Sequence, residues 1–427
     1  MSDTQQPRSP LSRRRLLQAT ALSLPAAGLL SACARDSGGS GGSASSSGSS
    51  ASPSATSLQI ASPTNPVKWP ISAGNEPIAA GQNPEQGGNL QLYSYADYVA
   101  PDVIASFEEK YKKYNVKVTY STFNDSNEAL AKLRGGSTPY DVYTPSYDQL
   151  GKLVLGGVIQ PLQQSYVTDI GNVYAEFQDP FYDQGWQYSA PYTLYTTGIG
   201  WRTDKVSEDV GARPNPYDIF WDPKYREKLA VLDDTREAIG MTLLRNGQTD
   251  VNTGDDTILN AARDALLEMT TLTKPRVTIT GYTDIPEGRL DLSQAWSGDL
   301  IAAVGYLPQG VKPDVLRYWF PADGKGMVNN DLMVIPKNAP NPVLAHLFLN
   351  HLLDPAVALA NFQYVGYQPP QVSLTPEKLV ADGIVPANLA SALVKPGYFN
   401  SGYRLLELPP ETDAKWQAIW QQFKAGA

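Results

Sequence analysis

The chain has 427 residues, with 34 Lys and Arg against 43 Asp and Glu, for a formal net charge of −9. That sign argues against nucleic acid as a partner, and a solitary cysteine excludes any internal disulfide framework. Tyr and Trp, 24 and 8, far outnumber the 10 Phe, a bias toward rings that carry a polar handle.

Residues 12–18, SRRRLLQ, form a twin-arginine pattern ahead of the apolar run ATALSLPAAGLL and of SACAR, so residues 1–33 read as an export signal. The run is shorter than the roughly 20 apolar residues that span a bilayer. Cys33 closes LSAC, a lipobox-like sequence whose small residues admit a peptidase and whose thiol takes a diacylglycerol. The expected location is the cell membrane, reached folded by the twin-arginine route, with a lipid on Cys33 and the chain facing the periplasm or the extracellular side. Residues 34–87 read as a flexible Gly/Ser tether followed by the Pro-rich extended segment SPTNPVKWPISAGNEP, with the folded part starting near residue 88. GGSGG in the tether matches G-x-S-x-G formally, but no strand precedes it and no helix follows.

About 340 residues follow the tether, more than one typical core supports. NLQLYSY reads as a strand, APDVIASFEEKYKKY as a helix with Pro101 at its start, VKVTYST as a strand, NEALAKLRGG as a helix closed by glycine, and YDVYTPS as a third strand. This alternation predicts a mostly parallel sheet with covering helices. SAPYTLYTTGIGW is extended and aromatic, a crossover between lobes. WDPKYREKLAVLDDTREAIGMTLLRNG reads as helix, strand, helix; NNDLMVIPKNAPNPVLAHLFLNHLL as strand and helix, returning to the first lobe. The C-terminal ETDAKWQAIWQQFKAG places Trp416, Ile419, Trp420 and Phe423 on one helical stripe, which is a core stripe.

His346 and His351 lie in apolar AHLFLNHLL, at core or cap positions, and nothing in their spacing indicates a metal site. There is no G-x-x-x-x-G-K-[ST], H-E-x-x-H or G-x-G-x-x-G, no evident repeat, and no recognisable nucleophile with its base. No cofactor is expected. The carboxylates of LDDTREAIG admit a local reading: Asp234-x-x-Glu237 is a capping box, with Asp234 accepting from first-turn amides and Glu237 reaching back to the cap.

Seven stretches, LYSYADYVAPDV, YDVYTPSYDQLGKLVLGGVIQPL, SAPYTLYTTGIGW, WDPKYREKLAVLDDTREAIGM, AWSGDL, NNDLMVIPKNAPNP and NFQYVGYQPP, occur in an order and spacing that resemble the polyamine (spermidine/putrescine) substrate-binding lipoproteins of ABC importers. The resemblance runs from about residue 88 to the C-terminus. It implies a two-lobe α/β fold of the type II periplasmic-binding-protein kind, each lobe a mixed sheet flanked by helices, with a ligand cleft between. Lobe 1 would comprise 88–194 and 331–372, and lobe 2 195–330 and 373–427. It further implies a monomeric receptor, not an enzyme, that captures a small cation and passes it to permease subunits.

By motif position, the resemblance implies a ligand site of Tyr95, Asp97, Tyr98, Ser146, Asp234, Glu237, Trp296, Asp299, Asp331 and Tyr367, with either Tyr147 or Asp148 adjoining. Carboxylates would grip ammonium groups, and ring faces would cover the methylenes and attract the charge. Two departures are expected to weaken the ring walls: Asn329 stands where the family has Trp or Phe, and Leu194 where it usually has Trp. Taken singly, each residue has a plainer role: Tyr95 and Tyr98 as half-buried strand-end rings, Trp296 and Tyr367 as packing, Asp299 as a turn or cap, and Asp331 as a surface turn. Two other functions compete, a receptor for a sugar, amino acid or compatible solute, and a secreted hydrolase using Asp234 and Glu237. The second suffers from geometry, because residues three apart at one helix start lie side by side and cannot flank a scissile bond.

Overall fold

Two parallel half-sheets are joined through two long antiparallel strands in the computed structural model, which describes residues 59–426 apart from 125 and 137. The expected signal, the lipobox cysteine and the Gly/Ser tract lie outside the described residues. The strands are β1 (Asn89–Ser94), β2 (Lys117–Thr122), β3 (Val142–Tyr143), β4 (Ser189–Arg202), β5 (Leu229–Val231), β6 (Arg276–Val277), β7 (Leu292–Trp296), β8 (Leu316–Trp319) and β9 (Met327–Val334). The helices are α1 (Pro101–Lys110), α2 (Ser126–Gly135), α3 (Leu150–Leu155), α4 (Thr235–Arg245), α5 (Asp256–Thr273), α6 (Gly281–Asp284), α7 (Ser297–Ala302), α8 (Pro342–Leu353), α9 (Pro355–Val365), α10 (Pro376–Ala381), α11 (Tyr398–Ser401) and α12 (Pro410–Gly426).

The sheet order is β2-β1-β3-β9-β4-β7-β5-β6, with β8 also on β4. Strand β1 is parallel to β2 and β3, and β5 is parallel to β6 and β7. Strands β9 and β4, antiparallel from Ser189↔Val334 to Thr197↔Met327, carry the sheet from one half to the other. Both are buried along their whole length, so neither can face water on either side. The result is the expected two-lobe α/β fold, with a mixed sheet covered by helices.

One hydrophobic cluster gathers Leu90, Leu92, Phe107, Val142, Leu332 and Phe348; the other gathers Leu229, Val231, Ile239, Leu266, Trp416 and Phe423. The α12 stripe behaves as its period demands: Trp416, Ile419, Trp420 and Phe423 are all buried, each contributing about 1.5–3 kcal/mol by removal from water. His346 and His351 are core residues. His346 accepts from the Gln163 amide at 2.9 Å, and His351 meets the Ser106 hydroxyl at 2.9 Å. Burial holds both imidazoles down at about 4.

Two expectations change. WDPKYR is not a helix proper: Asn215 and Asp222 cap short 3-10 turns that begin at Pro216 and Pro223, which cuts the segment into pieces. The Pro-rich segment before residue 88 is broken by turns at Gly74, Gly81 and Gly87 rather than extended throughout, and from residue 59 it is packed on the fold rather than free. Val67 and Trp69 are buried in the first cluster. The Val67 amide donates to the Phe181 carbonyl at 2.8 Å, Trp69 Nε1 to the Tyr182 carbonyl at 2.7 Å, and the Asn75 side chain to the Ile159 carbonyl at 3.0 Å. The two apolar side chains supply the attachment.

Candidate functional site

Four of the parallel strands, β1, β3, β5 and β7, end in loops or helix starts that carry the expected site residues. Tyr95 and Tyr98 follow β1, Ser146 follows β3, Asp234 and Glu237 follow β5, and Trp296 and Asp299 close β7 and open α7. Open α/β sheets collect ligand-facing groups at such carboxyl ends. The crossing strands add a floor. On β4, Thr193 and Tyr195 pair across to Asp331 and Asn329 on β9, so all four share one face.

Asp331 lies at the centre of this floor, 5% exposed and inside a strand, not in a surface turn. The Tyr98 hydroxyl donates to its Oδ2 at 2.6 Å and lies 2.6 Å from the Thr193 hydroxyl. Ser146 bridges to Asp331 through backbone, and its hydroxyl lies 3.3 Å from that of Tyr195. Burial pushes the Asp331 carboxyl up to about 7, against the pull of these hydroxyl donors.

Glu237 and Asp299 are two further buried acids among the expected site residues, 3% and 5% exposed. Trp296 Nε1 donates to Glu237 Oε1 at 3.0 Å and Asn329 Nδ2 to the same oxygen at 3.5 Å, while Oε2 has no hydrogen-bond partner. Burial first, and the neighbouring charge of Asp234 second, raise Glu237 to about 8. The Tyr367 hydroxyl donates to Asp299 Oδ1 at 2.8 Å; Oδ2 has no partner, and burial lifts this carboxyl to about 7. Gly298 permits this contact, because a Cβ there would stand 2.4 Å from the Tyr367 ring. Among the described residues, no Lys, Arg or His comes within ion-pairing distance of Asp331, Glu237 or Asp299.

Rings connect the three acids. Tyr98 meets Tyr95 edge-on at 5.6 Å and Tyr367 at 5.1 Å, and Tyr195 meets Tyr367 at 6.0 Å and Trp296 at 6.3 Å. Tyr95, Tyr98, Ser146, Glu237, Trp296, Asp299, Asp331 and Tyr367 are therefore brought together. Asp234 is adjacent but otherwise engaged: its Oδ1 accepts from the amides of Arg236 at 2.8 Å and Glu237 at 3.0 Å, the N-cap of α4. Glu237 does not complete a capping box, because its side chain turns to Trp296 instead.

Asp97 stands apart. It is exposed at the rim with φ 55°, where its carboxylate accepts from the hydroxyls of Tyr364 at 3.1 Å and Tyr306 at 3.5 Å. Between Tyr147 and Asp148, the tyrosine is the one that reaches the floor, its hydroxyl donating to Asn329 Oδ1 at 3.2 Å. Leu194 proves not to be a lost wall. It is buried opposite Asn330, on the face of β4 away from Tyr195, so its identity takes no ring from the site.

Tyr195 and Thr193 were missed by motif matching. The period-2 alternation of SAPYTLYTTGIGW contains them, since odd positions from 193 share a face once the segment is read as a strand. Arg404 was also missed. It is buried, stacks 4.3 Å over Tyr147, and donates to Asn330 Oδ1 at 2.6 Å; no pattern in LLELPP or its surroundings signals this.

Residues 102–387 match the model of the family described as bacterial extracellular solute-binding protein. The chain is 31% identical over 297 residues to the putrescine-binding periplasmic protein PotF of Escherichia coli strain K12, covering 67% of this chain and 79% of that one. It is 30% identical over 303 residues to the spermidine/putrescine-binding periplasmic protein of the same strain, covering 69% and 82%. Among solved structures, it is similar to the spermidine/putrescine ABC transporter substrate-binding protein PotD from Streptococcus pneumoniae, with a TM-score of 0.63 and 26% identity over 79% of this chain and 99% of that one.

Proposed function

The chain belongs to the bacterial extracellular solute-binding protein family, in its polyamine-type branch, and from that premise we propose that it captures a putrescine- or spermidine-like cation between its lobes and delivers it to the permease of an ABC importer. One observation carries the ligand: three buried carboxylates set among tyrosine and tryptophan rings, none with a protein cation and two of them with an oxygen lacking a partner among the described residues. An ammonium group supplies what those oxygens lack, at about 1.5–3 kcal/mol for each charge-assisted hydrogen bond. The rings cover the methylenes between ammonium groups and add about 0.5–2 kcal/mol for each cation they face. Asp331, Glu237 and Asp299 are the grips, Tyr95, Tyr98, Tyr195, Trp296 and Tyr367 the walls, and Ser146 a hydroxyl acceptor beside Asp331. Asp234 serves through the α4 cap. Asp97, at the rim, contributes long-range attraction only. Isothermal titration with putrescine, spermidine and an uncharged diol of matched length tests this: heat with the amines alone is expected, and equal or absent binding of all three overturns it.

A second reading is favoured by Asn329, which puts an amide where a ring would shield carbon and suits a more polar solute. Mass spectrometry of ligand carried through purification distinguishes the two. For the rest of the chain, the lobe boundaries 88–194 with 331–372 and 195–330 with 373–427 remain part of the proposal; α8 packs in the first core and α12 against α4 and α5, but Leu300, Tyr318, Leu389 and Val394 also join the first core. Twin-arginine export, an outward-facing lipid anchor on Cys33 and a monomeric state complete the proposal. Cys33→Ser should move the protein from the membrane to the soluble fraction; retention at the membrane would refute the anchor.

A further inference from the structure

The attached N-terminal segment builds something beyond the cleft. Ala61 and Trp69 of that segment, with Tyr147, Phe181, Tyr182 and Glu407, surround a small pocket of about 10 Å³, room for one water-sized group, that opens to solvent; Asp148 and Gly151 also line it. The family model begins its match at residue 102, so the segment that roofs this pocket lies outside the matched residues.

Four of the lining side chains are aromatic, and the Phe181 ring meets Tyr147 and Tyr182 edge-on at 5.8 and 5.3 Å. Glu407 is 7% exposed; its Oε1 is buried without a hydrogen-bond partner, and the residue forms no ion pair. Gly151 makes room for it, since a Cβ there would lie 2.4 Å from Glu407 Oε2 and 3.2 Å from the Trp69 ring. No nearby cation pairs with Glu407 among the described residues, although Arg404 already covers one face of Tyr147 and of Phe181, at 4.3 and 5.4 Å. Lys152 lies 3.9 Å from Asp413, and Arg236 donates to the Leu406 carbonyl at 2.7 Å and to Asn252 at 2.6 Å. Burial raises the Glu407 carboxyl to about 7, although Lys152 pulls the other way. A carboxylate left unpaired inside an aromatic box is costly unless a cation joins it.

We propose that this pocket is a second cation site, which takes an ammonium ion or the ammonium head of a small primary amine independently of the cleft. Among the described residues no group of three or more carboxylate, imidazole or thiolate ligands gathers there to hold a metal ion, and the walls are rings, which attract a weakly hydrated organic cation. Tyr147, whose hydroxyl reaches Asn329, stands between the pocket and the cleft.

The test is a methylammonium titration of the purified chain at about pH 8 with ionic strength held constant by sodium chloride, followed by calorimetry and by tryptophan fluorescence. Four proteins are compared: wild type, Glu407→Gln, Glu237→Gln and Trp69→Phe. A saturable site is expected in wild type and Glu237→Gln, weakened at least tenfold in Glu407→Gln. Trp69→Phe should keep the heat and lose part of the fluorescence change. Equal methylammonium affinity in Glu407→Gln and wild type, or loss of all binding in Glu237→Gln, overturns the second site. Putrescine binding that fails in every protein while methylammonium still needs Glu407 would sink the polyamine cleft and leave this pocket standing.

Discussion

Replacing Asp299 by Asn removes one charge and almost no volume from the cleft. In the ligand-free protein that charge is a liability, because one carboxylate oxygen has no partner and burial lifts the carboxyl from 3.8 to about 7. At 1.36 kcal/mol per pH unit, the ionised group opposes folding by up to roughly 4 kcal/mol. Below about pH 4 the group is protonated in the folded and unfolded chains alike and costs nothing. Between about pH 4 and 7 the unfolded chain gives up its proton first, so stability falls as pH rises; above about 7 the penalty is constant. Asp299→Asn should therefore be more stable than wild type in urea at about pH 8, by an amount approaching that figure, and the gap should close by about pH 4. With putrescine the order reverses: wild type gains a charged partner, and the variant forgoes about 1.5–3 kcal/mol, a ten- to hundredfold weaker Kd by calorimetry. A variant no more stable than wild type at the higher pH, or a gap that does not change with pH, would refute the reasoning.

Glu237→Gln keeps an acceptor for Trp296 Nε1 and loses the charge, so putrescine binding should weaken ten- to hundredfold with no loss of stability; unchanged calorimetric affinity would demote Glu237 to packing. Asp234→Ala removes two amide contacts at the α4 N-terminus and should lower stability by about 1 kcal/mol in urea unfolding. Gly298→Ala drives a methyl into the Tyr367 ring and should displace the ring from Asp299, weakening binding while far-ultraviolet dichroism stays native; full affinity would show that this contact is dispensable. Trp69→Ala should cost about 3–5 kcal/mol and expose the segment before residue 88 to limited proteolysis, whereas a free tether would show neither effect.

The elements most readable in the sequence are those whose side chains repeat with a clean period. α1 and the α12 stripe declare themselves, because one face of each is buried and the other is wet. α5 has the same amphipathic character but no motif to draw attention to it. β4 and β9 are harder: both are buried on both faces, so the alternation that marks a half-exposed strand is missing. That is why Tyr195 went unnoticed and Leu194 looked like a defect. Asp97 lies apart from the buried acids for a different reason. Motif position conveys neighbourhood, but a left-handed residue at φ 55° turns its side chain out of the line that its neighbours Tyr95 and Tyr98 follow. The segment before residue 88 looked like linker because composition records proline and serine, and two well-placed apolar residues, Val67 and Trp69, hardly alter an average.

The stretch LDDTREAIG shows how a local pattern and a site divide one helix start. A capping box needs Glu237 to turn back on the cap, but Asp234 satisfies the amides of Arg236 and Glu237 by itself, leaving the glutamate free. Trp296 then orients Glu237 from β7, and Asn329 reaches it from β9. Asn329 thereby acquires work that a ring could not do. Its carbonyl oxygen accepts from the Tyr147 hydroxyl and the Leu405 amide, while its amide nitrogen donates to Glu237, so one small side chain ties the β3 loop, the C-terminal segment and α4 to the floor of the cleft. The substitution that removes shielding from the methylene wall is thus the one that fixes the position of a carboxylate. It follows that restoring a ring at 329 should not simply improve the cleft: the new wall would come at the expense of three polar partners, each left to find another.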